Sequence, residues 1–165
     1  MVREWLVASG LIEGPEGLLL VQNRRRNGTH DWSTPGGVVE VEQGESVVDG
    51  LTREVYEETG ITVSGWDGPV YEVQVDASGL GWRLKVEVHR AVAFAGDLVL
   101  EDLDGIVVDA RFIPCGECVP LLHQGGGQWL WEPLTAWIDE RWESGRAYHY
   151  RVDGTDRASM SVVRL

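Results

Sequence analysis

The stretch from Ser46 to Gly60, SVVDGLTREVYEETG, constrains this chain more than any other. Ser46 suits a helix N-cap, because a hydroxyl there accepts a backbone N–H that the first turn leaves unpaired. Gly60 suits the left-handed residue at which helices stop. Between them Val48, Leu51 and Val55 stand three and four apart, the spacing of one apolar stripe. This pattern predicts an amphipathic helix over 46–59 that docks on a second layer. With residues placed at ~100° intervals, Glu54, Glu57 and Glu58 fall on another side, within an arc of roughly 100°.

That second face is costly for a helix with only a structural role. Glu54 and Glu58 form a like-charge i,i+4 pair worth about 0.2–0.5 kcal/mol of destabilisation. Glu57 and Glu58 occupy the last turn, where the negative end of the helix dipole disfavours anions by roughly 0.3–1 kcal/mol each. Arg53, four residues before Glu57, relieves only part of this. Clustered carboxylate oxygens are the ligands that hard cations such as Mg²⁺ or Mn²⁺ prefer, so the cluster points to a cation site. The alternative is a solvated acidic face.

The rest of the chain reads as α/β. Trp5 to Ile12 and Leu18 to Asn23 are strand-like and predict a hairpin around Glu13-Gly14-Pro15-Glu16-Gly17. A polar loop, Arg25 to Ser33, leads to Pro35-Gly36-Gly37. Tyr71, Val73 and Val75 alternate with polar neighbours, as do Trp82, Leu84, Val86 and Val88 after a turn at 77–81. Ile106 to Ile113 is a further strand candidate behind an acidic loop with Glu101, Asp102 and Asp104. Pro133 is read as opening a second helix whose apolar face carries Leu134, Trp137, Ile138, Arg141 and Trp142. Two short strands around Asp153-Gly154-Thr155-Asp156 end the chain. One domain over 1–165 is expected, with 146–165 as a short C-terminal strand extension.

Charge narrows the partners. Lys and Arg number 14 against 27 Asp and Glu, a net charge of −13. Such a surface repels nucleic-acid backbones and anionic lipid, so neither a nucleic-acid polymer nor a membrane is an expected partner. A small phosphorylated ligand remains compatible if a cation bridges it to the carboxylates. No apolar run approaches the ~18 residues of a membrane span. Trp5 to Ile12, flanked by Glu4 and Glu13, reads as a strand rather than a signal segment, and a cytoplasmic location is expected. Cys115 and Cys118 form a single C-x-x-C. Zinc would need recruited ligands such as His89 or His123, and the plainer reading is a pair of reduced thiols in a loop.

Gly36-Gly37, Glu45 and the run Arg53-Glu54-Val55-Tyr56-Glu57-Glu58-Thr59-Gly60-Ile61 resemble the Nudix box, G-x5-E-x7-R-E-U-x-E-E-x-G-U, with U bulky and apolar. From Glu45 onward every position agrees. Between Gly37 and Glu45 stand seven residues, 38–44, where the pattern has five. Loops absorb insertions cheaply, so a bulge away from the metal site is expected there. The resemblance implies an α/β/α sandwich with a mixed central sheet. It also implies Mg²⁺-dependent hydrolysis of a diphosphate linkage, with Mn²⁺ as a substitute. The substrate would be a nucleoside diphosphate derivative or a (deoxy)nucleoside triphosphate.

By the same resemblance Glu54, Glu57 and Glu58 are metal ligands, joined by a backbone carbonyl at Gly36–Gly37, assigned to Gly37. Arg53 and Glu45 brace the loop against the helix. The general base is either a box glutamate or an acidic residue of the later loop, where Asp104 is favoured. Arg24, ending the second strand, is the candidate phosphate contact, with Arg25 and Arg26 as alternatives. Trp32 either stacks on a base or packs in the core. A Nudix-like module that binds a nucleotide or metabolite without turnover is the alternative function, although such modules typically lose box glutamates and all are present here. The aromatic tail, with Tyr148, Tyr150 and the segment from Trp129 to Trp142, leaves two readings open: a homodimer interface or packing of its own sheet edge.

Overall fold

Two β-sheets and three α-helices are formed by the residues that the computed structural model describes, 1–101 and 105–165. Strands β1 (Arg3–Leu11), β2 (Glu13–Gly14), β3 (Gly17–Arg24), β4 (His30–Ser33) and β5 (Gly36–Val38) precede helix α1 (Val47–Thr59). Then come β6 (Thr62–Ala77), β7 (Trp82–Ala95), β8 (Val107–Ile113), α2 (Cys115–Leu122), α3 (Gln128–Glu140), β9 (Arg146–Asp153) and β10 (Ser161–Arg164). The larger sheet is mixed, in the order β10-β9-β6-β7-β1-β5, with β1 parallel to β7 and β6 parallel to β9. In the smaller sheet β3 pairs antiparallel with β2, β4 and β8.

Side-chain periodicity explains the layers. Tyr71, Val73 and Val75 of β6 and Val86 and Val88 of β7 are buried in one core with Leu134 and Trp137 of α3 and Cys118 and Leu122 of α2. Leu51 and Val55 of α1 belong to a second core with Ala8, Ile61 and Val63. Strand β3 feeds both: Leu18 and Leu20 join the first, Leu19 and Val21 the second. A run of consecutive apolar residues is what a strand covered on both faces requires. Helix α1 thus lies on one side and α2–α3 on the other, the α/β/α arrangement. Among the described residues no helix is long and apolar enough to cross a membrane.

Several expectations are corrected. Strands β1 and β3 do not form a hairpin with each other; the short β2 pairs with β3, while β1 joins β7 and β5. The doubly apolar β3 finds cover only between the helix layers, whereas β1 runs beside β7 over nine residue pairs. The region read as a polar loop contains β4, because Trp32 and Asp31 pair with Gln22 and Asn23. Helix α3 starts five residues before Pro133, which lies inside it. Proline removes one N–H from the ladder, but burial of Pro133, Leu134 and Trp137 keeps the helix continuous.

Arg141 ends α3 in the left-handed region, at φ 54°, so Arg141 and Trp142 lie beyond the helix. The indole of Trp142 nonetheless packs on the first core and donates to the carbonyl of Val70, 2.9 Å away. Tyr148 and Tyr150 are likewise buried in their own sheet. The two cysteines sit in α2, not in a loop.

Helix α1 matches its expected ends: the Ser46 hydroxyl accepts from Asp49 N–H and Gly60 takes φ 81°. Its buried stripe is shifted by one residue, however. Val48 is 39% exposed, and Val47 packs with Leu51 and Val55 instead. Steps of four residues drift only ~40° around a helix, so these three share a face. Leu51→Ala should therefore cost about 2–5 kcal/mol, while Val48→Ala should stay within about 0.5 kcal/mol. Urea denaturation of both variants checks this, and equal losses would contradict the assigned face.

Candidate active site

The packing of α1 against β5 brings the acidic cluster to the Gly36–Gly37 edge. Gly36 N–H donates to Glu58 Oε1 at 2.9 Å. Glu58 is only 7% exposed, so this hydrogen bond satisfies part of a buried carboxylate. A Cβ on Gly37 would stand 2.4 Å from Glu54 Cδ and 2.6 and 2.8 Å from its two oxygens. Only a residue without a side chain lets the carboxylate lie against the backbone here.

Arg53 organises the other side. Its Nε and Nη2 donate to the two oxygens of Glu45, at 2.8 and 3.0 Å, a bidentate pair. Nη1 donates to Glu54 at 3.1 Å and faces both Glu57 oxygens at 3.3 and 3.4 Å. Nη2 also reaches the carbonyl of Val38, at 3.4 Å. The guanidinium, with help from the Glu40 N–H, holds the Glu45 carboxyl down at about 2. Glu45 in turn raises the pKa of Arg53, so the pair stays ionised throughout the neutral range.

The inserted residues leave this network intact. A short 3-10 turn at Val41–Gln43 and a left-handed Gly44 (φ 80°) take up the extra length. Val39 stays anchored in the second core, and 40–44 are exposed.

Two carboxylates of α1, Glu54 and Glu58, thus meet the bare backbone of β5. Hard, anionic oxygens of this kind suit Mg²⁺ or Mn²⁺, and the space beside Gly37 that a Cβ would fill is taken by a carboxylate. Glu57, with its side chain 45% exposed, leans on Arg53. Among the described residues no three His, Cys, Asp or Glu side chains are gathered as a metal cage.

Other sequence candidates lie outside this network. Arg24 is exposed at the end of β3, where its N–H donates to the carbonyl of Ile106 at 2.7 Å. Arg25 is engaged by Asp31 at 2.5 and 2.8 Å. Trp32 packs against the first core. Asp102 and Asp104 lie outside the described residues, while Glu101 is exposed.

What sequence reasoning missed is a groove of about 1110 Å³ beside the box. The 38–43 loop forms its wall, and Leu6, Lys85, Gln74 and His149 lie across its floor. These four form one row across β1, β7, β6 and β9 in the strand register. Alternation along β7 had already placed Lys85 on the polar face; the parallel partners β1 and β9, distant in sequence, had no local signal.

Because the Glu45 carboxyl is depressed by folding, its contribution to stability is full above the usual carboxylate range of ~4.3 and is lost as pH falls toward about 2. The stability difference between wild type and Glu45→Gln should shrink steadily from about pH 6 to about pH 2.5. Urea midpoints across that range test this, and a difference independent of pH would contradict it.

Comparison with known proteins identifies the family and the fold. The model of the NUDIX domain matches residues 4–128. A MutT-like protein of Streptomyces ambofaciens is 46% identical over 55 residues, a stretch covering 33% of this chain and 33% of that protein. The structure of a MutT protein from Bacillus halodurans is similar over 97% of both chains, with a TM-score of 0.63 and 20% identity. That of the E. coli ORF135 protein is similar over 73% of this chain and 81% of its own, with a TM-score of 0.61 and 23% identity. A match that runs from β1 into the start of α3 and takes in both Gly37 and the glutamates of α1 shows that the chain belongs to the NUDIX family.

Proposed function

We propose that this Nudix pyrophosphohydrolase uses Mg²⁺ or Mn²⁺ to cleave a diphosphate linkage in a nucleoside diphosphate derivative or a (deoxy)nucleoside triphosphate. The observation that carries this reading is the meeting of Glu54 and Glu58 with the bare Gly36–Gly37 backbone. Glu54, Glu57, Glu58 and the carbonyl of Gly37 would hold the cation. Bound there, it supplies neutralisation of the diphosphate charge and acidification of the attacking water.

The chain's own residues do the rest. A protein of net charge −13 repels a polyanionic substrate unless its carboxylates are neutralised, which makes the cation a condition of binding. Arg53, tied to Glu45 and to the carbonyl of Val38, fixes α1 against the loop so that the carboxylates keep their positions. A carboxylate takes the proton of the attacking water, either a box glutamate or Asp104 in the β7–β8 connection. The groove receives the nucleoside, with Leu6 as an apolar floor and Gln74 and His149 as polar edges. Lys85, 3.8 Å from Glu72 and 4.0 Å from Glu87, is held loosely enough to turn to a phosphate. Residues 146–165 extend the same domain through the pairing of β9 with β6, and a cytoplasmic site of action fits a nucleotide substrate.

A substrate panel with product identification tests the proposal. Triphosphates should release inorganic pyrophosphate, and an ADP-sugar should yield two phosphomonoesters. Glu58→Gln should abolish turnover with an unchanged circular dichroism spectrum, and Glu45→Gln should lower kcat by about 10–100-fold. A wild-type protein that binds a nucleotide tightly but turns over nothing on the panel with either cation would establish the non-catalytic module instead.

A further inference from the structure

Away from the box, the C-x-x-C pair occupies the start of α2 with sharply different surroundings for its two sulfurs. Cys115 is the first helical residue and is half-buried. Its neighbours Pro114, Gly116 and Glu117 are exposed, and a Cβ on Gly116 would meet nothing within 4 Å. The approach to Cys115 is therefore open. Arg141 Nη2 donates to Cys115 Sγ at 3.2 Å, and Glu13 Oε2 lies 4.0 Å from the same sulfur. Arg141 is itself fixed by Glu13 at 2.5 Å. The sulfur is thus held in one orientation from two sides.

Cys118, one turn further on, is 0% exposed and lies in the first core. Its Sγ donates to the carbonyl of Ile113 at 3.4 Å, which aims it back toward the helix start, as Cα–Cβ bonds in a helix lean toward the N-terminus. Residues three apart in a helix have Cα atoms ~5 Å apart, inside the roughly 4.4–6.8 Å range that a disulfide spans. Among the described residues no third His, Cys, Asp or Glu completes a metal group with them. His123 stacks on Trp131, with ring centroids 4.1 Å apart.

We propose that Cys115 and Cys118 form a thiol–disulfide exchange site that takes a low-molecular-weight disulfide at Cys115 and resolves it with Cys118. Cys115 loses its proton to solvent and attacks one sulfur of the disulfide RSSR. A Cys115–SR bond forms, the S–S bond of RSSR breaks, and RS⁻ leaves and is protonated to RSH. Cys118 then attacks Cys115 Sγ while its proton passes to the departing sulfur, so the 115–118 disulfide forms, the Cys115–SR bond breaks and the second RSH is released. The protein dithiol is oxidised by two electrons and RSSR is reduced to two RSH. Burial pushes the Cys118 thiol up to about 12, which keeps it protonated while Cys115 meets the incoming disulfide. The division of labour follows from access: a buried sulfur is reached only from its neighbour.

Oxidised glutathione is the probe, with intact-mass spectrometry and free-thiol titration of the folded protein as readouts. Wild type should lose both thiols with no retained glutathione. The two cysteines fall within one tryptic peptide, 112–141, which should lose two hydrogens and regain them on reduction. Cys118→Ser should accumulate a stable glutathione adduct at Cys115, and Cys115→Ser should keep Cys118 unmodified. If Cys118→Ser fails to fold, the wild-type peptide and the Cys115→Ser variant decide alone. Retention of both thiols by wild type, or a glutathione adduct as its end product, would overturn the proposal, as would adduct formation at Cys118 in Cys115→Ser.

Discussion

The contact between the Glu54 carboxylate and the bare backbone of Gly37 is the constraint on which the rest of the site depends. It sets how closely α1 can approach β5, and Glu58 bound to Gly36 N–H fixes the angle. A methyl group at Gly37 would separate the carboxylate from the strand. The helix would then present its acids to solvent, where their mutual repulsion has no structural use.

Electrostatics supplies the second half of the account. Helix α1 has no basic residue in its last turn, the place where a cation would offset the dipole. Its one internal compensation, Arg53, sits a turn earlier and divides itself among Glu45, Glu54 and Glu57. The shortest of these contacts is to Glu45, outside the cluster, so the guanidinium braces the loop more than it neutralises the acids. The carboxylates of Glu54, Glu57 and Glu58 are the charge that a divalent cation would balance.

Much of this was legible in the sequence, for a physical reason. Helix α1 is specified by local chemistry: a hydroxyl cap at Ser46, a four-residue stripe and a left-handed Gly60. The resemblance to the Nudix box implied one site for Gly37 and the glutamates and a brace of Arg53 with Glu45; in the structure the Gly37 backbone lies against Glu54 and Arg53 is paired with Glu45. The stripe was misplaced by one residue because Val47 and Val48 are chemically identical and only the docking partner chooses between them. Strand pairing was illegible where it is non-local. Nothing near Trp5 says that β1 lies parallel to β7, and nothing near His149 says that β9 lies beside β6. The groove, assembled from those pairings, was hidden for the same reason. Pro133 misled because its local preference for a helix start was overridden by burial of Leu134 and Trp137.

The central claim is that the acids at the end of α1 and the edge at Gly37 together form a divalent-cation site. Calorimetric titration of Mn²⁺ into wild type and into a variant with Glu54, Glu57 and Glu58 all changed to Gln tests it most directly. The account predicts saturable uptake by wild type and none by the variant, with both proteins folded. No uptake by wild type, or equal uptake by both, would contradict it.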